Sequence, residues 1–440
     1  MNALVRCSII ATLVAFGLAA CGSSTPDSDA STAGGGGANV AGNTASAGSG
    51  GSVAGAGGPG GGGAGLAGNV SSGAGYAGVS GNTGASGSAG NVGSISGGAG
   101  GSAGGGGTSG SAGAAGSGGF QPWPGGSTVV TVDPQDTYAS DLSGLMYEPA
   151  QGAAPAVLWG VQNSPSKLYR LLWNGTQWAS DKSNGWTSGK TLRFVNGSGA
   201  PDSEGVTKAV FGTNNVYASI ERDNDDGDVS RLSVLLFDTS GASSTLNATR
   251  EWNLTAKLPK TGANLGLEAI AWIPDSYLVS KGFIDEDKQA VYDPANYSNH
   301  AAGLFFVGVE GTGMIYGFAL DHSGGGFTLL ASIDSGQSGV MDLSFDRDVG
   351  YLWAACDDTC SGRINVLDID TRVGSATKGK FYVRRGFERP STMPNLNNEG
   401  FTVTTESACQ AGFKSVFYAE DGSTMGYAIR RDSIPCGAFL

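Results

Sequence analysis

The sequence predicts an all-β domain, a single β-propeller, behind a disordered Gly/Ser/Ala-rich tether. Three observations carry this. An acid-or-Ser phrase with apolar neighbours returns five times, at Asp141–Leu145, Asp202–Val206, Gly266–Ile270, Val340–Ser344 and Asn397–Phe401. A strand-like run ending in an acid or amide follows each copy. No long amphipathic helix interrupts them. The third positions of the phrases are Ser143, Glu204, Glu268, Asp342 and Glu399, at steps of 61, 64, 74 and 57 residues. That period is too long for a solenoid coil and suits one four-stranded blade with loops.

The second phrases are Leu158–Asn163, Val216–Glu221, Phe305–Glu310, Leu352–Asp357 and Val416–Glu420. Another apolar run follows, as in Lys167–Leu172, Met314–Phe318 and Arg363–Leu367, so the unit reads strand, turn, strand. The gap between the phrases is 42 residues in the third unit, against 15 to 21 elsewhere. An insertion of roughly 25 residues, about 281–302, explains it. Five units predict five blades, or six if the long third unit contains another.

Residues 1–21 read as a lipoprotein signal peptide: Arg6, an apolar stretch from Ile9 to Leu18, then the lipobox Leu18–Cys21. The stretch is too short to span a bilayer comfortably. Cys21 is the expected lipidation site. Gly22 after it resembles the pattern for outer-membrane sorting in Gram-negative bacteria, so an exported, lipid-anchored protein at the outer membrane or cell surface is expected. Residues 22–119 carry only Asp27 and Asp29 as charges. Such a chain buries too little apolar area to offset its ordering entropy, and as a coil it spans on the order of 50–60 Å. The propeller domain is then 120–440. Apart from Cys7 and Cys21, four cysteines remain. An even number outside the cytoplasm suggests disulfides, and the pairing expected is Cys356–Cys360 and Cys409–Cys436. With only His300 and His322 present, a zinc pattern is absent.

The net charge is −13. An acidic domain excludes nucleic acid as a natural partner and leaves membrane contact to the N-terminal lipid. A monomer is expected; a small-molecule, phosphate-bearing or protein ligand is not specified. A propeller brings the same position of every blade to one mouth, so the two acidic series become a ring. Glu204, Glu221, Glu268, Glu310, Asp342, Asp357, Glu399 and Glu420 are therefore candidate calcium ligands, because calcium takes carboxylates and carbonyls. The competing reading is that each acid accepts hydrogen bonds from a neighbouring blade and staples the ring. Asp223, Asp225, Asp226 and Asp228 form a second candidate loop, or a solvated hairpin tip. No Gly-x-Ser-x-Gly elbow, triad or phosphate loop is present. Metal-assisted phosphoester hydrolysis would need basic residues at the mouth, for which Arg222, Lys281 and Arg363 are the candidates.

With those residues in place, the chain resembles the phytase-like β-propellers of exported bacterial proteins, the grouping of the SdiA-regulated and esterase-like activity of phytase families. The carrying stretches are Asp141–Leu145 with Leu158–Val161, Asp202–Gly205 with Glu221–Asn224, then Leu267 and Glu268, Asn397–Phe401, and the tail from Val416 to Cys436. The resemblance implies calcium near the mouth and phosphatase-type activity. It departs from the family in the blade count, since true phytases have six, and in Ser143 and Asn163 standing where carboxylates are expected.

Overall fold

The computed structural model describes residues 119–138 and 140–440. The signal segment with Cys21, and all but the last residue of the tether, lie outside them. Five blades follow one another along the chain, four of them four-stranded antiparallel sheets and the first a four-stranded core extended to six strands, with Trp178–Ser180 pairing beside its third strand. Blade 1 runs outward from Leu142–Glu148 through Val157–Gln162 and Lys167–Trp173 to Lys190–Arg193. Thr245–Asn247 adds a parallel strand at its rim. Blade 2 uses Pro201–Thr207, Asn215–Asp223, Ser230–Asp238 and Arg250–Asn253. Blade 3 uses Leu267–Pro274, Gly303–Val309, Met314–Leu320 and Phe327–Asp334. Blade 4 uses Asp342–Asp346, Tyr351–Ala355, Ile364–Ile369 and Phe381–Phe387. Blade 5 uses Asn398–Val403, Phe413–Glu420 and Ile429–Pro435, and takes its outer strand, Val130–Thr131, from the start of the domain.

The count is five. The long third unit holds an insertion rather than a blade: the seven-residue helix Asp275–Lys281, a hairpin of Ile284–Asp285 with Ala290–Val291, and the turn Pro294–Asn296. Among the described residues no helix is long and apolar enough to cross a membrane.

The inner strands touch in a closed ring, blade 1 to 2 to 3 to 4 to 5 and back to 1. Each has a neighbour on both faces, so its residues are buried with little alternation, as in the wholly buried Pro201–Thr207 and Leu142–Glu148, where only Tyr147 is partly open. The approach is close enough to select glycine. A Cβ on Gly205 would stand 2.8 Å from the Glu268 carbonyl oxygen of the next blade. Aliphatic and aromatic clusters then fill the wedges between blades, for example Phe305 and Val307 against Trp252 and Tyr217.

Two clamps close the ring. Val130 and Thr131 pair with Arg431 and Arg430, and the buried Asp133 carboxylate accepts the amides of Ala428 at 2.9 Å and Ile429 at 3.1 Å. The seam is therefore held by the first strand of the domain. The Cys409–Cys436 pair, with Cα atoms 6.1 Å apart, ties the chain end within blade 5. Cys356 and Cys360 also stand at bonding distance, with Cα atoms 5.8 Å apart.

At the centre, Asp342 Oδ2 accepts the amides of Leu145 in blade 1 at 3.1 Å and Phe401 in blade 5 at 2.7 Å, and its Oδ1 accepts that of Leu343 at 2.8 Å. Below it, Ser344 Oγ accepts the Val403 amide at 3.1 Å, and Thr402 Oγ1 accepts that of Tyr147 at 3.0 Å. Asp342 is fully buried. Replacing it with Ala strands amides from three blades without water, a cost of about 3 kcal/mol or more. Asp342→Asn keeps one acceptor oxygen and should cost less. Urea unfolding of both variants measures the difference.

Candidate metal centre

The acid of each first phrase stands at the start of an inner strand, and local pairing decides where it points. In blades 1, 2, 3 and 5 the ladder slips at that position: between Leu142 and Leu145, between Ser203 and Gly205, between Leu267 and Ala269, and between Asn398 and Gly400. Such bulges leave a residue unpaired and re-aim its side chain. Ser143, Glu204, Glu268 and Glu399 occupy them. In blade 4 the ladder is regular, Asp342 opposite Ala355, and Asp342 turns into the staple described above. It is a structural acceptor and not a member of the mouth cluster. Blade 2 slips a second time between Pro201 and Ser203, which adds Asp202.

The second strands return to the same end of the ring. Within each of two trios, Asp202–Glu204–Glu221 and Glu221–Glu268–Glu310, carboxylate oxygens lie within 4.8 Å of one another. Glu221 belongs to both, so five acids form one continuous patch across blades 2 and 3. Asp202 stands beside Glu204, and Glu221 beside Glu268. Buried carboxyls this close together hold protons more readily than they ionise. Glu399 extends the patch towards blade 5. Its oxygens accept from Ser143 Oγ at 3.0 Å and Asn397 Nδ2 at 3.0 Å, and Asn397 Nδ2 also reaches Asp421 at 3.3 Å. Asn163 Nδ2 stands 3.5 Å from Glu204.

Burial and mutual repulsion set the protonation. Burial first, then Asp202, Glu399 and Glu221, holds Glu204 well above the usual carboxylate range. Burial, then Glu204, Glu221, Glu399 and Glu310, does the same to Glu268. Glu221 and Glu310 are each pushed up to about 7, mainly by burial, with Asp202 repelling the first and Asp357 the second. Burial, with Asp421 adding to it, takes Glu399 to about 8. Among the described residues, only Arg222 forms an ion pair with this patch, 2.7 Å from Asp202 and 3.5 Å from Glu221.

Other expected members lie apart. Glu420 is drawn off by Arg430 at 2.6 Å and by Thr424. Asp357 caps the turn Asp358–Cys360, accepting from the Thr359 amide at 3.1 Å, and acts on the patch only through its charge. Asp223 accepts the Ala200 and Asp225 amides, while Asp225, Asp226 and Asp228 are exposed at a hairpin tip and join no acid cluster among the described residues. Of the basic candidates, Lys281 pairs with Asp368 at 3.1 Å, beyond the opposite ends of the strands, and Arg363 turns out to Glu388 at 3.1 Å. Sequence reasoning missed Asp202, Asp421 and Asn397. All three lay in or beside the quoted phrases, but only third and last positions were weighed.

No protein-family model matches the chain, and no curated protein matches it at a significant level. Solved structures do align. A nidogen–laminin complex matches at 12% identity and a TM-score of 0.30, over 64% of this chain and 73% of that one. A luciferin-regenerating enzyme matches at 10% identity and 0.34, over 71% and 96%. A mitotic checkpoint complex matches at 10% identity and 0.30, over 74% and 98%. Similarity of that size bears on neither family nor activity.

The raised acids give a pH dependence. In the unfolded chain these glutamates ionise near 4.5; in the fold Glu221, Glu310 and Glu399 hold their protons to about 7 or 8. Over that interval the unfolded chain binds fewer protons, so stability falls as pH rises. Thermal melts in chelator should show the melting temperature dropping from pH 5 to pH 8. Glu204→Gln, which removes one of the groups that keep their protons only in the fold, should make the drop shallower.

Proposed function

We propose that the chain is a lipid-anchored surface protein whose propeller is a calcium-associated binding or scaffold module. The observation that carries this is the patch of five contiguous carboxyl groups with one arginine against it. Burial and mutual repulsion raise the pKa of these carboxyl groups. A hard dication that seeks oxygen would replace their protons and relieve the repulsion, and calcium accepts this donor set at six to eight positions. Asp202, Glu204, Glu221, Glu268 and Glu310 would hold it, with Glu399 and Asn163 beside them. Calcium bound here would bridge blades 2 and 3 and leave its outer positions to an oxygen-bearing ligand. Kinship with the phytase-like propellers belongs to the same proposal and rests on the ordered phrases.

The second reading, a calcium-dependent phosphoester hydrolase, draws on Glu221 and Glu310, which titrate near 7, where a general base works best. It lacks a phosphate clamp. Arg222 is spent on Asp202, Glu221 and the Ala263 carbonyl, and Lys281 and Arg363 are engaged elsewhere. Binding without turnover is therefore the preferred reading.

Calcium should raise the melting temperature at pH 7, by about 3 kcal/mol of stability at a hundredfold excess over its dissociation constant. Glu268→Gln should abolish that gain. A panel of phosphomonoesters, phosphodiesters and carboxyl esters should show no calcium-dependent turnover; turnover lost in Glu268→Gln would favour the hydrolase. Palmitate labelling of the wild type and Cys21→Ala tests the anchor, and equal labelling of both removes it.

A further inference from the structure

On the flank of the ring, well away from the acids, a cleft of 760 Å³ opens between blades 5 and 1. It lies over the seam, beside the row in which Val130 and Phe417 both pair with Arg431. Its walls are unusual for this surface. The two exposed Trp and Phe side chains of the described residues, Trp173 at 44% and Phe413 at 45%, both line it. So does Arg431, partly buried, whose guanidinium has no hydrogen bond, ion pair or ring contact among the described residues. The neighbouring cations are engaged: Arg430 with Glu420, and Lys414 with Asp346 and Glu406. Asp432 is the one carboxylate bordering the cleft, and strand alternation sends its side chain to the opposite face from Arg431. The paired Ser415 and Ser433 add hydroxyls with no side-chain partner among the described residues.

We propose that this cleft binds a carboxylated saccharide, its carboxylate on Arg431 and a sugar-ring face on Trp173. A free guanidinium offers a planar fork that matches a carboxylate with two parallel hydrogen bonds. An exposed indole gives the apolar C–H face of a pyranose a flat surface on which to shed water. Serine hydroxyls serve ring hydroxyls of either hydrogen-bonding sense. In a chain of net charge −13, an arginine without a partner among the described residues, in one cleft with two exposed aromatic rings, marks where an anion is admitted. The site is independent of the acidic mouth and of the calcium reading.

The test is titration of the full chain with trigalacturonate, followed by tryptophan fluorescence and calorimetry in chelator, so that calcium bridging plays no part. Saturable binding is expected, at least tenfold weaker for the methyl-esterified trisaccharide and for Arg431→Gln, with Arg431→Lys between. Trp173→Ala, an exposed position, should also weaken binding about tenfold without altering the melting temperature. If Arg431→Gln fails to fold, the ester comparison and Trp173→Ala decide alone. No saturable binding into the millimolar range overturns the proposal. So does binding indifferent to Arg431→Gln and Trp173→Ala, or lost in Glu268→Gln instead. Tighter binding of a hexaglutamate peptide would overturn the saccharide class.

Discussion

The fold depends on how closely five inner strands can approach one axis. A five-membered ring leaves so little room there that backbone faces backbone, and Gly144, Gly205 and Gly400 let it. Amides from neighbouring blades then meet where water does not reach. They need acceptors that no ladder supplies, since each inner strand already pairs along its own blade. Asp342, Ser344 and Thr402 are those acceptors. They bind blades 1, 4 and 5 across the axis, which side-chain packing in the outer wedges could not do alone.

The same positions show how one repeated phrase serves two ends. Blades 2, 3 and 5 bulge at the acid and raise it to the mouth; blade 4 does not, and its acid becomes the staple. The choice is made by one residue of register. It places acids together in blades 2 and 3, where burial and repulsion favour their neutral forms or, on the proposed reading, a cation between them. Stability is thereby traded for a site, which is the usual relation between a rigid scaffold and a strained mouth.

Much of this was legible beforehand because a propeller is periodic. Five phrases at blade-length steps specified the inner strands, and one long gap specified the insertion of blade 3. The two cysteine pairings followed from parity and position. What was not legible depended on register or on distant partners. Asp342 matched its series in spacing, and nothing in Val340–Ser344 announced a regular ladder. Glu420 matched its series too, but Arg430 on the adjacent strand withdraws it. The outer strand of blade 5, Val130–Thr131, has its partner about three hundred residues later, beyond any local pattern. Lys281 was a candidate for the mouth, although it comes after the inner strand has already crossed to the far face.

The start of the described chain also sets how the domain bears a pull. Before reaching the seam strand, Gln121 donates to the Gly386 carbonyl at 2.9 Å, and its own carbonyl accepts the Glu388 amide at 2.8 Å. Trp123 is wedged among Trp353, Phe387 and Tyr418, with ring centres 6.0 to 6.3 Å away. A load entering from the N-terminal side therefore meets this wedge, seated across blades 4 and 5, before it meets Val130. The two-residue closing strand would otherwise peel one hydrogen bond at a time, the weakest direction for a sheet edge. Trp123 works as a cleat: tension drawn along the chain is shed into two blades, and the seam behind it stays slack.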